Sequence, residues 1–206
     1  MTKRRNLRLT NDQKIANFLF EAGTLRKLSR VHRQTLLSDD MSDNIASHSF
    51  RVALIAWALA KKEKVDPYKV VMMALTHDLG EARSNDHNWV HKRYVKIFND
   101  EIIEEQLSGL PFGDVHVFAQ EYEARKTKEA VIAKDADLLD EILLLREYEW
   151  QGNREAVKWL YEGKGKLRAN AQLKKLKLKS AKELGKTIYE TEPSAWWDNL
   201  WTSKNR

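Results

Sequence analysis

At 206 residues, with 42% hydrophobic and 32% charged side chains, the chain is long enough for one substantial core and too apolar for a disordered one. It has no cysteine, which excludes disulfides, thiolate nucleophiles, iron–sulfur clusters and Cys-based zinc sites, so any metal must rest on histidine and carboxylates. The net charge of +6 suits an anionic ligand, although much of the excess lies in Lys3-Arg4-Arg5 and between Lys164 and Lys186, where a solvated surface is the ordinary expectation.

The basic stretch Met1 to Arg8 runs into polar residues without an apolar run of signal-peptide length. The most apolar stretch, Val52 to Ala60, is far shorter than a membrane span. A cytoplasmic protein that does not enter a membrane is expected. With no linker rich in Pro, Gly or Ser and no internal repeat, residues 1–206 read as one domain, its motif core near 25–150 and a C-terminal helical extension near 151–206.

Apolar residues recur at helical spacing along most of the chain, and no run alternates with period two for long enough to make a strand. The fold class is therefore all-α, a helical bundle. Thr10 or Asn11 caps a first helix carrying Ile15, Phe18 and Leu19 and ending near Gly23. A short helix from Leu25 to Val31 precedes the polar segment Ser38 to Asn44. The next helix, Ile45 to Glu63, places His48, Val52, Ile55 and Leu59 on one face. Asp66-Pro67 is an N-cap followed by proline at the first helical position, so another helix starts there, passes through His77 and stops near Gly80. Helices are expected at Val90 to Phe98 and Asp100 to Leu107. One long amphipathic helix then covers Lys126 to Trp150, and further helices cover Arg154 to Leu160, Ala169 to Tyr189 and Pro193 to Trp201.

A histidine on an apolar helix face needs partners for its ring nitrogens, and His48 taken alone reads as a structural histidine. His77-Asp78 changes that, because it follows the apolar run Val70 to Leu75 and so puts an imidazole and a carboxylate at the inner end of a buried helix. Asp137 repeats the pattern between Val131-Ile132-Ala133 and Leu138-Leu139. A divalent metal would stabilise such buried groups, and two imidazoles with two carboxylates suit an ion of intermediate hardness such as manganese, cobalt, iron, nickel or zinc. Asp135 is a competing carboxylate, which helical geometry turns to a different side from Asp137.

The order H, then HD, then D on separate helices resembles the HD-domain phosphohydrolase superfamily. The segments Ser47-His48-Ser49, His77-Asp78-Leu79-Gly80-Glu81 with Asp86 following, and Lys134-Asp135-Ala136-Asp137 are similar to those of the 5'-deoxynucleotidase family, over roughly Leu25 to Glu149. The resemblance implies an HD-domain helical bundle, often dimeric, that uses one divalent metal ion to hydrolyse nucleoside 5'-monophosphates with a preference for deoxyribonucleotides. It implies His48, His77, Asp78 and Asp137 as metal ligands. Glu81 stands one turn beyond His77, where a water-activating base belongs. Asp86 matches the family's second acidic position, which contacts substrate or protonates the leaving alcohol. Arg33, fifteen residues before His48, falls where the family places a phosphate-orienting arginine, and a planar guanidinium suits two phosphate oxygens at once.

Two features depart from the family. Gln34 stands where the bacterial enzymes have a tryptophan, and Asn85-Asp86-His87-Asn88-Trp89 replaces a glycine-aspartate-hydrophobic-proline turn. His87 and His91, four apart, are candidates for a further metal or phosphate contact. The partners expected are a nucleotide substrate and a second copy of the chain, with nucleic acid not required. The alternatives are an HD phosphohydrolase acting on a triphosphate, a cyclic nucleotide or an alarmone, and a non-catalytic module, clipped by its metal, that binds RNA or protein.

Overall fold

The computed structural model describes residues 9–161, 171–198 and 200. Twelve α-helices form among them: α1 (Asn11–Ala22), α2 (His32–Leu36), α3 (Ile45–Glu63), α4 (Pro67–Thr76), α5 (Glu81–Ser84), α6 (Asn99–Leu107), α7 (Asp114–Ala124), α8 (Lys128–Trp150), α9 (Arg154–Leu160), α10 (Ala171–Lys175), α11 (Lys179–Glu190) and α12 (Ala195–Asp198). Short 3-10 turns lie at Gly23–Lys27 and His91–Arg93. The described residues contain no strand, only an isolated bridge between Ser29 and Asn44. No helix among them is long and apolar enough to cross a membrane. The Lys3-Arg4-Arg5 cluster, Lys164, Ala169 and Trp201 lie outside the described residues.

Local chemistry sets the helix starts. Thr10 and Gln13 form a reciprocal capping box on α1, and Asn44 and Ser47 form one on α3. Asp66 accepts the Tyr68 amide at 2.9 Å ahead of Pro67, and Thr127 accepts the Ala130 amide at 3.2 Å to open α8. These caps decide where α3, α4 and α8 begin, and hence which residues face inward at their ends.

Helix α8 is the axis of the bundle. Its buried residues come in adjacent runs, Ile132-Ala133, Asp135-Ala136, Leu138-Leu139-Asp140 and Leu144-Leu145, so it is covered on nearly all sides and is not the one-faced amphipathic helix expected from the sequence. Helices α3, α4, α7, α9, α10 and α11 pack against it. Alanines 56, 60, 74, 133 and 136, all fully buried, let α3, α4 and α8 approach closely. A second, smaller cluster around Leu25, Ile45, Leu79, Leu107, Val115 and Ala119 supports the segment after α4.

Three differences from the expected elements have physical causes. Helix α7, where no element was expected, forms because Val115, Ala119 and Tyr122 make a buried stripe against α4, α6 and α8. From Val90 to Phe98 only the His91–Arg93 turn forms, because those side chains are mostly exposed and a helix there would have no core face to stabilise it. The helix expected from Ala169 to Tyr189 breaks between α10 and α11, where the buried Asp135 carboxylate accepts the Lys177 amide at 3.0 and 3.1 Å and the Leu178 amide at 2.8 Å. Asp135→Ala should leave those amides without an acceptor, costing about 1–3 kcal/mol. Thermal unfolding should shift down by a few degrees with faster hydrogen exchange at Lys177 and Leu178; unchanged unfolding and protection would contradict this clasp.

Candidate functional site

His48 sits one turn into α3 on the face shared with Val52 and Ile55, and is itself buried. His77 and Asp78 are positioned differently. The helix α4 stops at Thr76, and successive tight turns follow, with the Leu79 amide on the Thr76 carbonyl at 3.2 Å and the Glu81 amide on the Asp78 carbonyl at 3.0 Å. Neighbouring residues on a regular helix diverge by about 100°. Breaking the helix at this point lets both His77 and Asp78 aim at one place. Asp137 reaches the same place from the middle of α8.

The four side chains converge. His48 Nε2 lies 3.3 Å from His77 Nε2, 3.5 Å from Asp78 Oδ2 and 3.3 Å from Asp137 Oδ1. His77 Nε2 lies 3.1 Å from Asp78 Oδ2 and 3.8 Å from Asp137 Oδ1. Donors about 2.0–2.2 Å from a shared ion stand at about these separations from one another. The far sides of both rings are satisfied: His77 Nδ1 donates to the Ala74 carbonyl at 2.7 Å, and His48 Nδ1 is 2.6 Å from Asp140 Oδ2. That leaves the Nε2 atoms to the centre, the arrangement that fixes a metal-binding histidine in its tautomer and orientation.

The electrostatics agree with a missing positive charge. Burial opposes ionisation of every member, yet the Asp78 and Asp137 carboxylates raise the His77 imidazole to about 9 and the His48 imidazole well above its ordinary value. The same attractions hold Asp78 and Asp137 well below the usual carboxylate range, against the opposing effect of their burial, with Lys134 Nζ 2.5 Å from Asp137 Oδ2 contributing. The carboxylates thus favour positive charge at the centre of the cluster. A divalent ion can supply that charge, and two imidazoles with two carboxylates fit it.

The cluster opens into a cavity of about 1360 Å³ whose wall includes Arg30, Glu81, Asp86, Trp89, Lys134 and Trp159. Glu81 begins α5; its Oε2 is buried without a hydrogen-bond partner, and burial, with the charges of Asp78 and Asp86, pushes its carboxyl up to about 9. Asp86 accepts the Val31 amide at 2.8 Å through Oδ2, which ties its loop to the start of α2. Capping of the following turn falls instead to Asn88, whose Oδ1 accepts the amides of Val90 and His91.

Arg33 is not brought to the cavity: its Nη1 donates to the Met41 sulfur. The arginine in the cavity wall is Arg30, 7% exposed, whose Nη2 donates to His32 Nε2 at 2.9 Å while Nε and Nη1 have no hydrogen-bond partner. Gln34 accepts from Asn88 Nδ2 at 2.9 Å and does not line the cavity, so Trp89 and Trp159 are the indoles there. The rings of His87 and His91 stand 5.6 Å apart, and among the described residues the convergent His and carboxylate donors are those around His48, His77 and Asp78.

Sequence reasoning missed Arg30 and Asp140. Asp140 is 2% exposed and receives His48, the Arg51 guanidinium through Nε, and Arg30 Nη1 at 3.6 Å. Its signal was present: a carboxylate one turn after Asp137, between Leu139 and Ile142, needs a buried partner. Arg30 carried no comparable signal: the helix expected from Leu25 to Val31 does not form, and Arg30 lies between the Gly23–Lys27 turn and α2.

An all-helical bundle that gathers a histidine, a histidine-aspartate pair and a distant aspartate around one cavity has the architecture of an HD-domain protein. The chain matches the HD domain family over residues 25–186 and belongs to it. The match runs past the motif core into α11. The 5'-deoxynucleotidase HDDC2 of Dictyostelium discoideum is 35% identical over 141 residues, 62% of this chain and 72% of that protein. The 5'-deoxynucleotidase YfbR of Escherichia coli O127:H6 is 27% identical over 153 residues, 64% of this chain and 73% of that protein. A solved structure, a conserved hypothetical protein from Pyrococcus furiosus, superposes with a TM-score of 0.68 at 25% identity, covering 85% of this chain and 99% of that one.

Elemental analysis of the purified protein should find about one divalent ion per chain, and His77→Ala or Asp78→Ala should remove it. Asp140→Asn keeps all four ligands and should weaken metal affinity about 10- to 100-fold, measured by competition with a chelating dye. Unchanged metal content in His77→Ala and Asp78→Ala would rule out the cluster.

Proposed function

We propose that the chain is a metal-dependent phosphohydrolase that converts (deoxy)nucleoside 5'-monophosphates to nucleoside and phosphate. The observation that carries this is the shared cavity wall, in which His77, Asp78 and Asp137 stand with Glu81, Asp86 and Arg30. A purely structural metal needs none of the last three. The activity named for the Dictyostelium and Escherichia relatives supports the same substrate class.

His48, His77, Asp78 and Asp137 would hold one divalent ion, and manganese, cobalt, iron, nickel or zinc each suits the donor set. When bound, such an ion lowers the pKa of a water molecule and polarises a phosphoryl oxygen. Arg30 is placed to bind the phosphate, since its buried Nε has no hydrogen-bond partner, its Nη1 meets the Asp140 carboxylate at 3.6 Å without a hydrogen bond, and a guanidinium can serve two oxygens. Arg33, assigned to that task by the resemblance, stands against Met41 instead. Glu81 takes the proton of the attacking water; the ionised form that this requires is opposed by burial and by Asp78 and Asp86 and favoured by Arg30 and His77, and a divalent ion at the neighbouring cluster would offset the opposition. Asp86, fixed through Oδ2 by the Val31 amide, donates a proton to the nucleoside 5'-oxygen as the P–O bond breaks. The water oxygen ends on phosphorus, with no covalent enzyme intermediate.

Gln34 takes no part in the cavity, so discrimination between ribose and deoxyribose should be weak. We also read the protein as a cytoplasmic homodimer, supported by the exposed stripe of Phe50, Leu54 and Trp57 on α3.

With manganese or cobalt supplied, phosphate release from deoxynucleoside 5'-monophosphates should exceed release from 3'-monophosphates. Glu81→Ala should keep its metal and lose about 100-fold or more in kcat. Arg30→Ala should raise KM about tenfold or more, the loss of a charge-assisted contact. Inert monophosphates beside a cleaved triphosphate, cyclic nucleotide or alarmone would overturn the substrate class, and inertness of every phosphate ester in the metal-loaded protein would overturn the enzyme.

A further inference from the structure

A cavity of about 1360 Å³ exceeds the roughly 300–1,000 Å³ that a typical small ligand fills. The surplus has a distinct chemistry. Beyond Arg30, the wall includes His32 of α2, Lys158 and Trp159 of α9, Lys175 at the end of α10 and Lys177 of the segment joining α10 to α11. Two of these groups are donors without acceptors. Arg30 donates to His32 Nε2, so the hydrogen of the neutral ring is on Nδ1, and burial together with the Arg30 charge keeps the ring neutral by lowering it to about 3. His32 Nδ1 and Trp159 Nε1 are both buried with no hydrogen-bond partner, and the two rings meet edge-on at 6.3 Å. Unmade bonds of this kind are costly unless a ligand or water completes them.

The lysines are held in place by more than their own helix. Leu176 between them is 1% exposed in the main core, and Asp135, two residues from Asp137 on α8, accepts the amides of Lys177 and Leu178. A buried carboxylate is thus used to fix a segment whose two lysines remain exposed at the cavity. Lys158 is partly balanced by Glu155 at 2.5 Å, Lys177 faces Asp135, whose carboxylate is engaged by the Lys177 and Leu178 amides, and Lys175 faces Glu141, so Lys175 and Lys177 are exposed cations beside two carboxyl groups of the same wall.

We propose that this wall is a second phosphate site, so that the cavity accepts a 5'-phosphorylated dinucleotide, its terminal phosphate at the metal cluster and its internucleotide phosphate at Lys175 and Lys177. His32 and Trp159 supply donors to the second nucleoside. This rests on the proposed hydrolysis of 5'-monophosphates, and extends it to the 5' ends of short oligonucleotides.

The test is binding, measured by calorimetry on manganese-loaded Glu81→Ala protein, which does not turn its ligand over. A 5'-phosphorylated deoxydinucleotide should bind about tenfold tighter than the 5'-mononucleotide, the effect of one added charged contact. The advantage should shrink as salt rises, because it depends on exposed lysines. A nucleoside 3',5'-bisphosphate, which has the second phosphate without the second nucleoside, should recover most of it. Adding Lys175→Ala and Lys177→Ala should bring the ratio close to one with the unfolding temperature unchanged. Equal affinities for mono- and dinucleotide, or an advantage that survives loss of both lysines, would overturn the second site. Hydrolysis by the wild-type protein is scored separately: inert 5'-monophosphates would overturn the reaction, while the binding ratio would still decide the site.

Discussion

Two carboxylates and two imidazoles, brought together by the start of α3, the turn after α4 and the middle of α8, have imidazole nitrogens within 3.8 Å of one another and of the carboxylate oxygens, and burial opposes a charge on each. Such a cluster is unfavourable unless a positive charge sits among the carboxylates. Against that burial, the carboxylates raise the His48 and His77 imidazoles above their ordinary values, and Lys134 stands beside Asp137. A divalent ion would supply that charge more completely, and in doing so would tie α3, the α4 to α5 turn and α8 together. The break in α4 after Thr76 and the capped start of α3 both serve this convergence, because without them the four donors would not face one point.

Helix α8 distributes three carboxylates to three tasks. Asp137 faces the cluster. Asp140, one turn on, orients His48 and gathers Arg51 and Arg30, which links the histidine cluster to the arginine in the cavity wall. Asp135 turns the other way and holds the C-terminal segment. Because these residues share one rigid helix, covered on nearly all sides, a shift in any partner would be felt at the others. The C-terminal helices are consequently part of the site's wall, consistent with a family match that extends to residue 186.

Much of this was legible in the sequence. The all-helical class followed from periodicity, and the cap residues Asp66-Pro67 and the face shared by His48, Val52 and Ile55 located two of the site's elements. The HD pair and Asp137 were visible because polar residues in apolar runs demand partners. What was not legible depended on tertiary contact. The choice of Arg30 over Arg33 turns on how the chain enters α2: the helix expected from Leu25 to Val31 gives way to a short 3-10 turn, and α2, which holds Arg33, is too short to show a face in the sequence. The break between α10 and α11 comes from Asp135, more than forty positions away in sequence, and no local signal near Lys177 marks it. Helix α7 was overlooked because its buried stripe, Val115, Ala119 and Tyr122, is short and flanked by polar residues.

The most direct measurement is anomalous scattering at the absorption edge of the bound metal, from crystals of the protein. The account predicts one strong peak per chain, lying between His48 Nε2, His77 Nε2, Asp78 Oδ2 and Asp137 Oδ1. A peak held by other residues, or fully occupied crystals of active protein with no peak among these four atoms, would contradict it.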